Sequence, residues 1–145
     1  MKNTSKIAIA TPDAPPALGP YSQGIRVGDT IYVSGQLPLD PKTGQIIAGS
    51  IAEQTERVLL NIREILEEGE ASLSDVVKIT IYLKDLGNFA EVNRVYGVFF
   101  PTSEHNPTLP PARSTVEVSR LPREAELEMD AIAVVMPGYV DPEMY

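Results

Sequence analysis

Side chains able to bind anions or move protons gather toward the C-terminal end of this sequence. PPARSTVEV, residues 110–118, places Arg113 after two prolines, at the mouth of a run that alternates like a strand. A guanidinium there can clamp a carboxylate or phosphate through two parallel hydrogen bonds. By spacing alone, an exposed arginine in a surface ion pair is the simpler reading. EAELEMDAIAVV, residues 124–135, follows with Glu126, Glu128 and Asp130 on one strand face and Leu127, Met129 and Ala131 on the other. Three like charges cannot all be buried, so that face must meet water, a cleft or a basic partner. A carboxylate in such a row can hold its proton to higher pH and act as a general acid or base, although a solvated outer face explains the spacing equally simply.

Two further positions carry polar chemistry. Asn93 lies four residues after Phe89 and three before Tyr96, which predicts an amide within the apolar stripe of a helix, needing backbone or ligand partners. GPYSQG, residues 19–24, is a turn-rich stretch presenting Tyr21, for which a plain loop aromatic is the default. His105 reads as a loop residue without a role.

Composition narrows the chemistry. The 145 residues contain no Cys and one His, which leaves no thiolate nucleophile, disulfide, cysteine metal site or intrachain Ser/His triad. Twenty Asp and Glu against twelve Lys and Arg give a formal net charge of −8, and the basic residues are scattered singly. Affinity through phosphate neutralisation is therefore disfavoured, and nucleic acid is an unlikely partner. No apolar run approaches the roughly 20 residues of a membrane-spanning helix, and the N-terminal stretch lacks signal-peptide features, so a cytoplasmic protein without a membrane partner is expected.

The elements that must position these residues are legible as patterns. KIAIA (6–10) is a weak strand, and IRVGDTIYVSG (25–35) is a hairpin whose Gly28-Asp29 suits a type II′ turn. Ser50 and Glu53 form a capping box for a helix with Val58, Ile62, Ile65 and Leu66 on one face, closed by Gly69 at C′. VVKITIYL (76–83) alternates, with Val77, Ile79, Ile81 and Leu83 predicted on one side. Asn88 with Glu91 predicts a second capping box, opening a helix that carries Phe89, Val92, Val95, Tyr96, Phe99 and Phe100 and ends at Pro101. Strands at about 113–119 and 125–135 complete the order β-β-β-α-β-α-β-β, an α+β arrangement with two helices on one face of a mixed sheet. One domain over residues 1–135 and a C-terminal extension over 136–145 are expected.

GPYSQG, VSGQLPLDPKTG, DVVKITIYLKDLGNFAEVN and PPARSTVEVSRLPREAELEMDAIAV closely resemble the signature segments of the RidA/YjgF family of reactive-intermediate deaminases, in order, over about residues 8–135. The resemblance implies a chorismate-mutase-like fold and a homotrimer with three clefts between subunits. It implies hydrolysis, without metal or organic cofactor, of 2-imino acids such as 2-iminobutanoate and 2-iminopropanoate, unstable products of pyridoxal-phosphate dehydratases. It further implies Arg113 as the carboxylate anchor, Glu128 as the acid that positions or activates water, and Tyr21, Ser34, Gly35, Phe89, Asn93 and Thr115 as cleft residues. Thr115 stands where many members carry Cys, and HNPTLPPARS is one residue longer than in common relatives. A keto-acid-binding regulatory trimer without turnover, and an endoribonuclease or translation inhibitor, are the competing readings.

Overall fold

A computed structural model describes residues 5–102 and 109–136; His105, most of the lengthened loop and nearly all of the 136–145 extension lie outside the described residues. Six strands follow in the chain: β1 (Ile7–Ile9), β2 (Gly24–Val27), β3 (Thr30–Gln36), β4 (Val76–Leu83), β5 (Ala112–Glu117) and β6 (Leu127–Val134). They form one sheet in the order β1-β2-β3-β6-β4-β5, antiparallel except for the parallel β4–β5 pair. Helices α1 (Ile51–Glu68) and α2 (Phe89–Phe99) lie in the two crossovers and pack together on one face, giving the mixed α+β architecture the sequence predicts.

That covered face is apolar because each strand alternates. Ile31 and Val33 of β3, Ile79, Ile81 and Leu83 of β4, and Leu127, Met129, Ala131 and Ala133 of β6 point inward and meet Val58, Leu59, Ile62, Ile65 and Leu66 of α1. Each of these large side chains contributes about 2–5 kcal/mol by the usual cost of truncation to alanine. Val92, Tyr96 and Phe100 of α2 join the same cluster. The opposite face is not covered: Tyr32 and Val116 are 51% and 42% exposed, beside Tyr82, Glu128, Asp130 and Ile132.

The local signals hold where the backbone carries them. Val27 pairs with Thr30, leaving Gly28-Asp29 as a two-residue loop, and only Gly28 has a positive φ (57°), as a II′ turn requires. Ser50 and Glu53 exchange both capping-box hydrogen bonds at the start of α1.

Three expectations are corrected. Val76, not Val77, enters the core; Val77 is the extra residue of a bulge between Val76 and Lys78 opposite β6, and remains 46% exposed. Asn88 does not cap α2, because its backbone is already helical in a 3-10 turn (Leu86–Asn88) whose N–H at Gly87 donates to the Asp85 carboxylate. Glu91 instead accepts from Arg94 Nη2 at 2.6 Å. Finally, α1 ends in a Schellman motif one residue later than predicted: Ala71 N–H donates to Leu66 O, Glu70 N–H donates to Glu67 O, and Glu70 itself takes the left-handed conformation (φ 64°). Gly69 is glycine for space, since a Cβ there would lie 2.6 Å from Ile9 Cδ1 and 3.1 Å from Ile31 Cδ1.

This division of labour predicts opposite signs at adjacent positions. Glu70→Gly is expected to stabilise the fold by up to about 1 kcal/mol by relieving the left-handed Cβ penalty. Gly69→Ala is expected to destabilise it; urea midpoints of the two variants check both.

Candidate functional site

The chain builds two separate clusters from the residues that the sequence singles out. The first lies between α2 and β5. Arg113 pairs in register with Ile79 of β4, so it points to the helix side of the sheet. There its Nη1 donates to Asn93 Oδ1 at 2.7 Å, and its guanidinium carbon sits 4.8 Å from the Tyr96 ring centroid and 5.5 Å from that of Phe89. The two aromatic faces attract the cation and fix its plane. Asn93 is its one hydrogen-bond acceptor among the described residues, where no carboxylate pairs with it. The remaining guanidinium donors are thus not taken up by an ion pair there. Asn93, Tyr96, Phe100, Thr102, Pro111 and Arg113 line a cleft of about 470 Å³.

Two expectations change at this cluster. Asn93 is exposed rather than set in the buried stripe, which α2 restricts to Val92, Val95 and Tyr96; its amide faces the arginine instead of backbone groups. Tyr96, read only as a core residue, is the ring closest to Arg113. Its spacing of three from Asn93 was the available signal, because residues at that separation share a helix face. Burial pushes the Tyr96 phenol up to about 12, with Arg113 pulling weakly the other way, so it is neutral at physiological pH. Thr115 lies on the Arg113 side of β5, and its hydroxyl is buried without a partner among the described residues.

The second cluster lies on the open face. Glu128 pairs in register with Tyr82 of β4, three residues from Ile79, and therefore projects from the face opposite to Arg113. It also stands two strand spacings, roughly 10 Å, to the side. Within one chain the two proposed catalytic residues do not meet.

A bulge in β3 shapes this second cluster. Pairing with β6 steps from Val33↔Ala131 to Gln36↔Met129, so Ser34 and Gly35 together oppose a single residue. The bulge brings the Gly35 backbone onto Glu128, and a Cβ at Gly35 would collide with the carboxylate. Ser34 Oγ donates to the Ser22 carbonyl at 2.5 Å, tying the strand to the Tyr21 loop. Tyr21 and Gly35 line a shallow apolar hollow with Pro15, Leu18, Leu37 and Pro122.

Buried amides that sequence reasoning passed over support these loops. Gln23 Oε1 accepts from Thr11 N–H at 2.7 Å while its Nε2 donates to Pro15 O at 2.7 Å, pinning residues 11–15 beside the Tyr21 loop. Asn61 of α1 donates to the carbonyls of Leu37 and Leu39 at 3.2 and 3.1 Å. Such amides stay buried only because these bonds offset their desolvation.

Glu128 is half-buried, and burial first, with the neighbouring Asp130 charge second, raises its carboxyl above the ordinary range. Among the described residues no three metal-binding side chains gather closely enough to hold an ion.

A family model described as Endoribonuclease L-PSP matches residues 11–135. The chain belongs to this family, the RidA/YjgF family. It is 55% identical over 129 residues to a RutC family protein of Pyrococcus abyssi, covering 89% of this chain and 97% of that protein. It is 48% identical over 126 residues to the 2-iminobutanoate/2-iminopropanoate deaminase of Escherichia coli K12, covering 87% and 95% of the two chains. The structure of Escherichia coli TdcF with bound serine superposes with a TM-score of 0.82 at 39% identity, covering 90% of this chain and 98% of that one. These relatives support a hydrolase-type activity in the family, and no helix among this member's described residues is long and apolar enough to cross a membrane.

The raised Glu128 carboxyl sets the sign of a stability change. In the unfolded chain this group ionises in the ordinary range; in the fold it keeps its proton to higher pH, so stability is lost as pH rises through the folded value. Glu128→Gln, which mimics the neutral form, is expected to raise the thermal midpoint at pH 7. The gain should vanish below about pH 4, where both states of the wild type are protonated; calorimetry at the two pH values checks this.

Proposed function

We propose that this L-PSP family member hydrolyses 2-imino acids, the 2-iminobutanoate and 2-iminopropanoate class, to 2-keto acids and ammonia, in a cleft completed by a second copy of the chain. The observation that carries the reading is Arg113: a half-buried cation on two aromatic rings, held by an amide and by no carboxylate among the described residues. A carboxylate ligand supplies the anion this arrangement lacks. Because Glu128 projects from the opposite face, the acid beside the bound substrate comes from another protomer. The uncovered face bearing Tyr32 and Val116 supports association, and the reading takes the assembly to be a homotrimer.

In this scheme Arg113 fixes the substrate carboxylate by a forked pair, with Asn93 and Phe89 shaping the same side. Tyr21, Ser34 and Gly35 form the facing wall from the other protomer, with Thr115 beneath the arginine. Water adds at carbon 2 of the protonated imine while Glu128 accepts its proton. Glu128 returns that proton to the carbinolamine nitrogen; as the C–N bond breaks and the carbonyl forms, Glu128 takes the hydroxyl proton and passes it to the departing ammonia, which leaves as ammonium. The proton count closes within one turnover, and one positioned acid–base group typically supplies about 10²–10⁴-fold. Uncatalysed imine hydrolysis is already quick, so this acceleration suffices. A ribonuclease reading would require phosphate-binding cations, which the scattered basic residues and net charge of −8 do not favour.

The test generates 2-iminobutanoate in situ with a threonine dehydratase and follows keto-acid release against a nucleophile trap. Wild type is expected to speed release, Arg113→Ala and Glu128→Gln each to lose at least about 10²-fold, and a remixed sample of the two variants to recover part of the rate. Recovery follows because some clefts then receive an intact Arg113 from one chain and an intact Glu128 from the other. Saturable keto-acid binding without any rate effect would replace the enzyme reading by a binding module. Activity in Arg113→Ala equal to wild type would sink the anchor assignment.

A further inference from the structure

Glu128 does not stand alone on the open face. Asp130 follows it by two residues on β6, so the carboxylates project side by side, roughly 7 Å apart along the strand. Tyr82 sits directly opposite Glu128 in register, yet its hydroxyl reaches diagonally and donates to Asp130 Oδ2 at 2.9 Å. The phenol thereby fixes the neighbour and leaves Glu128 without a hydrogen-bond donor among the described residues. The Gly35 backbone closes the other flank of Glu128. Two acids on one face thus have different surroundings, one anchored by a donor and one pressed against backbone.

We propose that Asp130, locked in place by Tyr82, is a positioning residue that sets how tightly Glu128 holds its proton, and so the pH range over which Glu128 can exchange protons with a bound substrate. The part concerning substrate rests on the imine-hydrolase reading; the part concerning the proton affinity of Glu128 does not. Other charged or titratable groups toward this face are Glu126 entering β6, Lys78 of β4 and Lys84 just after it, Tyr32 on β3, Tyr21 and Arg123 beside Gly35, and, in the cleft of the proposed function, Arg113 from another protomer, whose charge acts on Glu128 in the opposite direction to Asp130. Lys78 is turned to Ser114 Oγ at 3.0 Å, and Glu126 precedes the strand, so neither matches the fixed relation of Asp130 to Glu128. Burial and the Asp130 charge act on Glu128 in the same direction, upward. The Tyr82 hydroxyl is itself held protonated, chiefly by its bond to Asp130, so the donor persists through the neutral range.

The coupling has a functional consequence. A carboxyl that holds its proton to higher pH than an ordinary glutamate is more often available to protonate a leaving amine, and is a stronger base toward water. Asp130 adds to the larger effect of burial through its charge and need not touch the substrate.

Carboxyl-carbon NMR titration of Glu128 in the full-length protein tests the inference without reference to turnover. Asp130→Asn is expected to lower the Glu128 midpoint by on the order of half a pH unit. Tyr82→Phe, which frees the Asp130 carboxylate but keeps its charge, should shift it less and in the same direction, and Glu126→Gln should leave it in place. In the imine assay the acid limb of the pH–rate profile should move by the same amounts. An unchanged Glu128 midpoint in Asp130→Asn overturns the proposal. A shifted midpoint in a protein that shows no imine hydrolysis upholds the coupling and counts against the activity reading instead. Should Asp130→Asn fail to fold, the Tyr82→Phe titration decides by itself: no shift overturns the proposal.

Discussion

Side chains along a β-strand point alternately to opposite faces, and in this molecule that alternation separates the cation from the acid. Arg113 shares its parity with Ile79 and the helix-covered core, whereas Glu128 shares its parity with Tyr82 and the open face. No loop movement within one protomer brings them together, because each is held by the strand that carries it. The architecture therefore holds the two clusters rigidly apart. The rigidity has a local cause in both: two aromatic rings and an amide hold the guanidinium, and a bulged backbone packs against the carboxyl.

The bulge at Ser34–Gly35 shows how a small irregularity places chemistry. A regular β3 would carry its alternation straight through and leave a side chain over Glu128. One extra residue shifts the phase, and the missing Cβ of Gly35 creates the space that the carboxyl occupies. The buried amides of Gln23 and Asn61 serve the same end from behind, holding the segment before β2 and the loop after β3 by bonds to backbone carbonyls. Stability of the core and geometry of the open face are thus linked through a few polar contacts.

Much of this was readable from sequence patterns. The strand and helix order, the Gly28-Asp29 hairpin and the Ser50 capping box depend on local spacing, and they appear as expected. What failed depended on tertiary relations. Val77 looked buried because the alternation of residues 76–83 contains no sign of a bulge that only pairing with β6 imposes. Asn88 looked like a cap because its spacing to Glu91 is right, but a preceding 3-10 turn had already made its backbone helical. Arg113 and Glu128 were recognisable as residue types in a familiar setting. Their placement on opposite faces required the β4 register, and the Tyr82–Asp130 bond spans 48 residues of chain that no local pattern connects.

The prolines ahead of Arg113 have a consequence beyond starting a strand. β5 is the last strand at one end of the sheet, and such an edge offers unpaired backbone groups to any passing extended chain. Pro110 and Pro111 have no N–H to donate at its beginning, and Arg113 and Glu117 place charges along it. At the other end, β1 is only three residues long. Both edges are thus poor templates for strand addition, so the chain can leave one sheet face uncovered without inviting fibrous self-association along its rims.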